Sequence, residues 1–369
     1  MIRCTRCILP ETFPGIVFDD EGICNYCHSY QRSEFVDRTE ELKAMLNRER
    51  GRSRHGDCIV PYSGGRDSSY VLCKLVREFG VRPVAVTYDW GMMSSVAHRN
   101  WASAVEHLGI EHVVVRGDVE RIRANARANV NAWLKRPHLG MVPIFTQGDK
   151  VFGYRVNQVS KQLGIRLIVK GVGNPYESTV FKTGFLGVLE TTPRGGAKEI
   201  SLRGRMKLLS AYIGQYARNP AYLNRSLPEA LAGFLSYYAL DMITRAQWLP
   251  FYHYVNWDEH VVLETIAREA GWRGADDTIL TWRIDDATAP FYNFITLTIA
   301  GFTENDTFRS NQIREGVITR EEAIRLVERE NRPRLGPMRE YLESLNLDYE
   351  AVKARIEALP KLLSPHVSR

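Results

Sequence analysis

The stretch Asp57-Cys58-Ile59-Val60-Pro61-Tyr62-Ser63-Gly64-Gly65-Arg66-Asp67-Ser68-Ser69-Tyr70 limits how this chain can fold more than any other. A short apolar run ends in Ser-Gly-Gly, and a helical pattern then begins, with Tyr70, Val71, Leu72, Leu75 and Val76 on its apolar side. A strand feeding a glycine turn that opens a helix leaves several backbone N–H groups unpaired and aimed one way, and the positive end of the helix dipole adds to them. Such a turn is an anion site of phosphate size. Gly64 and Gly65 allow close backbone approach, and Ser63, Ser68 and Ser69 add hydroxyl donors. No Gly-Lys-Ser/Thr follows, so this is not the Walker-type loop. On the Ser-Gly-Gly alone, an ordinary strand–helix turn with a Ser or Asp cap is an equal reading.

What surrounds the stretch makes it part of a parallel sheet. Three times between Asp57 and Gly173 a helical pattern ends in an apolar residue, a glycine and a β-branched residue: Phe79-Gly80-Val81, Leu108-Gly109-Ile110 and Leu163-Gly164-Ile165. Each glycine fits a helix C′ cap, and the runs that follow read as strands over Val84–Tyr88, His112–Val115 and Leu167–Val169. Alternating helix and strand predicts an α/β fold, a Rossmann-like parallel sheet with helices on both faces. Ligands of such sheets sit beyond the carboxyl ends of the strands. That rule selects Tyr62–Gly65, Tyr88–Gly91 with Asp89 and Trp90, Arg116–Asp118, and Gly171–Asn174. The last leads into a glycine-rich loop, Gly171-Val172-Gly173-Asn174-Pro175-Tyr176-Glu177, with Lys182 and Thr183 behind it and Gly187 at its end. It reads as a second wall of a nucleotide site, against the plainer reading of a mobile surface loop.

Before the sheet, Cys4-Thr5-Arg6-Cys7 and Cys24-Asn25-Tyr26-Cys27 form two CxxC knuckles with zinc-ribbon spacing. A segment this short cannot bury a core, so Zn²⁺ held by Cys4, Cys7, Cys24 and Cys27 would fold it, and four thiolates make a closed, structural site. His28 reads as a surface neighbour, and Cys58 and Cys73 as small core residues. The expected organisation is a zinc module over 1–30, a charged linker and helix over 31–56, a nucleotide-binding domain over 57–200 and a mostly helical region over 201–369, with helices at Ser226–Trp248 and Glu259–Ala270. Thr319-Arg320-Glu321-Glu322 carries a capping-box pattern, and Ser364–Arg369 reads as a disordered end. Tyr252–Asp258 and Trp282-Arg283-Ile284-Asp285-Asp286 each read equally as packing or as pocket wall. The chain shows no apolar run of membrane length and no signal peptide, which predicts a cytoplasmic protein without a membrane partner. A formal charge of +6 over 369 residues suits a phosphate-rich ligand and does not point to nucleic acid.

Ser-Gly-Gly-x-Asp-Ser resembles the signature of the PP-loop ATP pyrophosphatases, which split ATP between its α and β phosphates. Over nearly its whole length the chain resembles the N-acetyl sugar amidotransferases of that superfamily, which act in bacterial surface-polysaccharide (O-antigen) biosynthesis. The resemblance rests on Cys4/Cys7 with Leu9-Pro10, Cys24/Cys27-His28, Ser63–Ser68, Gly171–Asn174, Phe181-Lys182 with Gly184, Tyr254 with Trp257-Asp258-Glu259, Gly271-Trp272, and Ile313-Arg314-Glu315-Gly316 with Arg320. It implies ATP, Mg²⁺ and Zn²⁺ as cofactors and a nucleotide-linked N-acetyl sugar as acceptor. The acetamido oxygen would be adenylylated with release of pyrophosphate, and ammonia would then displace AMP to leave an acetamidino group. On that resemblance Asp67, Ser63 and Lys182 are the catalytic candidates: Asp67 orients Mg²⁺ or the loop, Ser63 and Ser68 donate to phosphate, and Lys182 offsets charge. Ser63, Gly64, Gly65, Asp67, Ser68, Tyr88, Asp89, Gly171, Gly173, Asn174 and Glu177 would bind the nucleotide. No N-terminal cysteine follows Met1 and no Gly-x-Cys-x-Gly elbow occurs, so ammonia is expected from a separate glutaminase with a cyclase-like subunit that delivers it. The alternatives are a tRNA-thiolating PP-loop enzyme, which needs a basic face and usually a reactive cysteine, and a non-catalytic zinc and nucleotide scaffold.

Overall fold

The computed structural model of the chain describes residues 1–32, 34–145, 149–178, 180–190, 200–229 and 246–362. Five strands make one sheet: β1 (Cys58–Pro61), β2 (Pro83–Asp89), β3 (Glu111–Arg116), β4 (Leu167–Lys170) and β5 (Gln247–Pro250). Their order is β3-β2-β1-β4-β5 and every pairing is parallel, with Val60 beside Ala85, Val86 beside Val113, Ile59 beside Ile168 and Val169 beside Leu249. The chain therefore winds outward from β1 in one direction and then in the other. This doubly wound order places a topological switch point between β1 and β4, where the loops on the two strands part and leave a crevice.

Helices cover both faces. In chain order they are α1 (Asn25–His28), α2 (Thr39–Glu49), α3 (Arg66–Cys73), α4 (Ser95–Leu108), α5 (Val119–Lys135), α6 (Asp149–Leu163), α7 (Val180–Thr183), α8 (Leu202–Arg218), α9 (Glu259–Ala270), α10 (Ala289–Ala300), α11 (Glu304–Glu315), α12 (Arg320–Glu330), α13 (Leu335–Ser344) and α14 (Tyr349–Glu357). Alternate residues of a strand serve opposite faces. Cys58 and Val60 join Leu72, Trp101, Leu167, Val169, Phe251 and Ile266 under α3, α4 and α9, while Ile59, Val84, Val86 and Ile168 meet Val156 and Val159 of α6. Gly109 closes α4 in the left-handed conformation at φ +62°, and Gly80 and Gly164 take the same hand.

Two expectations change. The helix read over Ser226–Trp248 lies partly outside the described residues, and its end is strand: Gln247–Pro250 pairs with β4 and extends the sheet. The charged linker expected over 31–56 is also tied to the sheet domain. Arg50 donates to the carbonyls of Phe79 and Gly80 at 2.9 Å each, satisfying the end of the helix that follows β1. The terminus from Ser364 lies outside the described residues. Among the described residues no helix is long and apolar enough to cross a membrane.

The helical region and the cysteine module share one core, in which Phe13 meets Tyr26 edge-on and packs at a tilt against Phe302. Its least expected member is α11, whose sequence ENDTFRSNQIRE is almost wholly polar and almost wholly buried. A buried polar helix persists only if its groups are paired. Thr303 and Asp306 form a reciprocal capping box, Asp306 holds Arg3 at 2.6 Å, and Asn305 bonds Asn331. Arg309 reaches Glu259 at 2.5 Å and also Glu330. At Thr319 the hydroxyl caps Glu322 N at 3.2 Å.

Candidate active site

At the switch point the turn after β1 and the turn after β4 touch. A Cβ on Gly171 would stand 3.1 Å from the Asp67 carbonyl, so a side chain there would push the two loops apart by a few tenths of an ångström. Gly64 has φ +83°, and a side chain there would strike Ala97 O and Trp101 Nε1. Its own carbonyl is turned away from the crevice and accepts from Asn100 Nδ2 (3.1 Å) and Trp272 Nε1 (3.0 Å). That carbonyl is thus held by its two donors, and the turn runs directly into the N-terminus of α3 at Arg66. Ser63 and Ser68 place their hydroxyls 3.3 Å apart over the turn, and Gly65 N donates to Ser63 Oγ at 3.2 Å.

Asp67 is clamped. Trp257 Nε1 donates to its Oδ1 at 2.9 Å, Arg66 Nε to the same oxygen at 3.1 Å, and Tyr252 OH to its backbone carbonyl at 2.9 Å. Arg66 is itself buried, stacked 4.8 Å from the Trp257 ring and tied to Glu259 and Thr281. Arg309 locks Glu259 from below, and that carboxyl is held under its ordinary range by the charges of Arg309 and Arg66, against the opposing effect of burial. The aromatic run Tyr252–Trp257 is therefore both core packing and the support of the loop.

The crevice has a volume of about 360 Å³. Ser63, Gly65, Asp67, Ser68, Tyr88, Gly171 and Glu177 of the expected set line it, joined by Arg66, Trp90, Lys170, Trp248, Trp282, Arg283, Asp285 and Asp286. Of the remaining expected residues, Gly64 shapes the loop, Gly173 packs against His253, and buried Asn174 accepts from Tyr176 N at 3.0 Å. Asp89 does not line the crevice: it accepts from Gly91 N at 3.0 Å and stands 4.0 Å from His98. Lys182 lies beyond Glu177, in a small neighbouring cavity with Tyr292, and Arg283 borders both spaces.

The crossing segment Trp282–Asp286 resolves as pocket wall. Arg283 takes a left-handed φ of +52° that is rare without glycine, and its guanidinium meets Glu304 at 3.0 Å. Ser94 binds both neighbours, its hydroxyl on Ile284 O (2.7 Å) and its N–H on Asp285 O (3.0 Å). This brings the Asp285 carboxylate to Ser63 and to within 3.0 Å of a Cβ on Gly65. Burial raises the Asp285 carboxyl, and the charge of Asp67 raises it further; Glu177 is raised by burial first, then by Asp67, with Arg283 and Lys182 opposing. Asp67, Glu177, Asp285 and Asp286 thus all stand on the crevice wall around the loop. They suit an ATP whose phosphates arrive with Mg²⁺, which would neutralise both sides. The aromatic side of the crevice, with Tyr88, Trp90, Phe152 and Trp248, has the shape and polarity for a base.

The cysteines form a second centre. The four sulfurs lie within 4.8 Å of one another, with Cys4–Cys27 at 3.9 Å and Cys7–Cys24 at 3.8 Å, and all are buried. Thiolates placed tetrahedrally about 2.3 Å from one ion stand about 3.8 Å apart, so the set fits a single tetrahedral metal such as Zn²⁺. Hydrogen bonds from the other cysteines draw the Cys4 thiol down, and those from Cys24 and Cys27, with the charge of Arg314, bring Cys7 to about 6 against the effect of burial. Arg314 of α11 donates to Cys7 Sγ at 3.2 Å and Cys27 Sγ at 3.4 Å, and Arg320 donates to the carbonyls of Cys4 and Cys7. These cations offset the charge of a four-thiolate centre. From Arg314 a chain of contacts runs through Asn311 to the Tyr176 carbonyl, next to Glu177, so the metal module braces the crevice wall. His28 pairs with Asp19 at the surface. Cys58 and Cys73 are buried, their thiols pushed up by burial, Cys73 to about 12, and no cysteine lines the crevice among the described residues.

No family model matches the chain. An uncharacterized protein of Methanocaldococcus jannaschii is 23% identical over 186 residues; the match spans 45% of this chain and 66% of that protein, just under two thirds of its length. Among solved structures, the U34-tRNA thiolase NcsA of Methanococcus maripaludis with its 4Fe–4S cluster is matched over 89% of each chain at 15% identity and a TM-score of 0.31. The activity named for that protein is the tRNA thiolation weighed above as an alternative, and neither of these two matches is named as an amidotransferase. A likeness at this TM-score transfers neither its substrate nor its cluster to this chain.

Proposed function

We propose that this chain is an ATP pyrophosphatase of the PP-loop kind that adenylylates an acceptor amide for displacement by ammonia. The observation that carries the reading is the loop: a glycine turn between β1 and α3 whose Gly64 carbonyl is bonded to Asn100 and Trp272, whose residues Ser63 and Ser68 line the crevice, and whose Asp67 is held by Trp257, Arg66 and Tyr252. The amide oxygen attacks the α-phosphorus, the bond from that phosphorus to the bridging oxygen breaks, and pyrophosphate leaves into the loop. N–H groups and hydroxyls fixed beforehand stabilise the charge as it develops. Ammonia then adds to the imidate carbon, a proton is lost, the C–O bond breaks, and AMP departs, leaving an amidine. Mg²⁺, when bound with ATP, supplies charge neutralisation between the phosphates and Asp67. Ser63 and Ser68 orient the leaving phosphates, and Arg66 holds the Asp67 carboxylate in place.

The acceptor is the acetamido group of a nucleotide-linked sugar, following the resemblance of the sequence. Ammonia comes from a separate glutaminase through a cyclase-like subunit. Zn²⁺ is the metal that best suits four thiolates spaced for one ion. The second reading, sulfur transfer to tRNA, would use the same four cysteines as an iron–sulfur centre. It lacks a thiol in the crevice, and cysteines on the separate irons of a cubane stand further apart than thiolates on a single ion.

Product analysis with ATP, ammonium and a panel of nucleotide-linked N-acetyl sugars tests the proposal. AMP and pyrophosphate formed in proportion to one sugar support it. ADP and orthophosphate would contradict it, and AMP formation that depends on tRNA and a sulfur donor would favour the second reading.

A further inference from the structure

Beside the crevice lies a second concavity with no part in the chemistry above. Its volume is about 600 Å³, and Arg121, Arg123 and Arg127 of α5 line it with Arg225 and the Ser344–Asn346 turn between α13 and α14. The carboxylates on its wall are Asp118 and Glu120, with Glu229 just behind. Asp118 is occupied as the N-cap of α5, accepting from Arg121 N, and Arg121 is shared between Asp118 (3.9 Å) and Glu229 (3.4 Å). Arg127 and Arg225 have no acidic partner among the described residues, and the buried Nε of Arg123 has no hydrogen-bond partner there. Cationic side chains left unpaired around one hollow mark an anion site. Among the described residues no aromatic ring lines it, and those that do line it suit phosphates rather than a base.

Its position identifies whose phosphates these are. α5 follows β3, so the groove opens on the same strand-end edge of the sheet as the crevice, one strand outward from β2. The partition between them is thin. Arg123 donates to Gly91 O at 3.3 Å on the groove side, while the adjacent Trp90 lines the crevice. We infer that the Arg121–Arg123–Arg127–Arg225 groove binds the phosphate groups of the acceptor, a nucleoside-diphosphate-linked molecule whose amide reaches over the Trp90–Gly91 turn to the loop. This deepens the proposed function and rests on it for the identity of the acceptor. The hollow matches one diphosphate-bearing small molecule.

The test reads binding without turnover. The full chain, with its crevice saturated by a non-hydrolysable ATP analogue, is titrated calorimetrically with UDP-N-acetylglucosamine, and in a parallel arm with a 20-base-pair RNA duplex. Arg127→Ala with Arg225→Ala removes two cations that touch neither the loop nor the core. Binding of the UDP-sugar should weaken roughly tenfold or more, the loss expected for charge-assisted contacts, while affinity for the ATP analogue stays unchanged. Unchanged UDP-sugar binding in the double variant, or no binding by the unmodified chain, overturns the inference. Binding of the duplex alone, lost in the double variant, also overturns it and assigns the groove to nucleic acid. Because ATP hydrolysis is not read, failure here leaves the adenylylation proposal to its own assay.

Discussion

Trp257→Phe isolates the hold on Asp67. The indole N–H lies 2.9 Å from Asp67 Oδ1, while the ring stacks on Arg66 and packs against Tyr176 and Phe308. Phenylalanine keeps an aromatic face toward Arg66 and removes the donor. A hydrogen bond to a charged group contributes about 1.5–3 kcal/mol, and Arg66 Nε still binds the same oxygen, so the lower end applies, about 1.5 kcal/mol. That is roughly a tenfold loss in whatever step needs the carboxylate aimed at the metal and phosphates. The assay is the rate of pyrophosphate release at saturating ATP together with the affinity for a Mg²⁺-loaded ATP analogue, with thermal unfolding as control. The smaller ring also leaves a cavity in a fully packed site, so some fall in stability accompanies the change. Trp272→Phe, which removes one of two donors to the Gly64 carbonyl, is the comparison and should cost less. If Trp257→Phe leaves both the rate and the Mg²⁺-nucleotide affinity intact, Asp67 is not positioned for catalysis by this contact and the account of the clamp fails.

Other consequences follow from buried charge. Glu177→Gln tests the raised carboxyl on the inner wall. A folded-state value above the unfolded one gives stability that is present at low pH and lost as pH rises through the folded value, so the variant should gain stability relative to the parent as pH climbs above the ordinary carboxylate range; a melting-temperature difference that is flat from pH 4 to 8 would refute it. Arg309→Met strips Glu330 of its cation and leaves Glu259 with Arg66 alone, and should cost about 3–5 kcal/mol by denaturant titration, with Arg66 and the loop loosened as well. Cys58→Ala and Cys73→Ala should leave the rate of pyrophosphate release unchanged, whereas a sulfur-carrying role for either thiol would show as its loss.

The readable parts of the chain were those whose signals are local. The Ser63–Ser68 turn, the glycine caps at Gly80, Gly109 and Gly164, and the helix Glu259–Ala270 all announce themselves within a few residues, and the strands after each glycine follow from them. The strand Gln247–Pro250 escaped because it is short, ends in proline and buries only Leu249 fully, so nothing in its pattern separates it from a helix end. α11 was opaque for a stronger reason. Hydrophobic periodicity finds faces that leave water, and α11 leaves water with almost no apolar face, stabilised instead by partners hundreds of residues away such as Arg3 and the cysteine sulfurs. The same holds at the crevice. Asp285 and Arg283 reach the loop through a crossing segment anchored on Ser94, a contact between positions far apart in the chain. Long-range pairing decides such sites, and a single sequence does not display it.

The claim at the centre is that the loop grips departing pyrophosphate while AMP is placed on an acceptor oxygen. Turnover of an N-acetyl acceptor carrying ¹⁸O in its amide, with ATP and ammonium, tests it by mass spectrometry of the nucleotide product. Adenylylation followed by displacement moves the acceptor oxygen onto the α-phosphorus, so the account predicts AMP bearing one ¹⁸O and unlabelled pyrophosphate. Unlabelled AMP, or ADP with labelled orthophosphate, would contradict it.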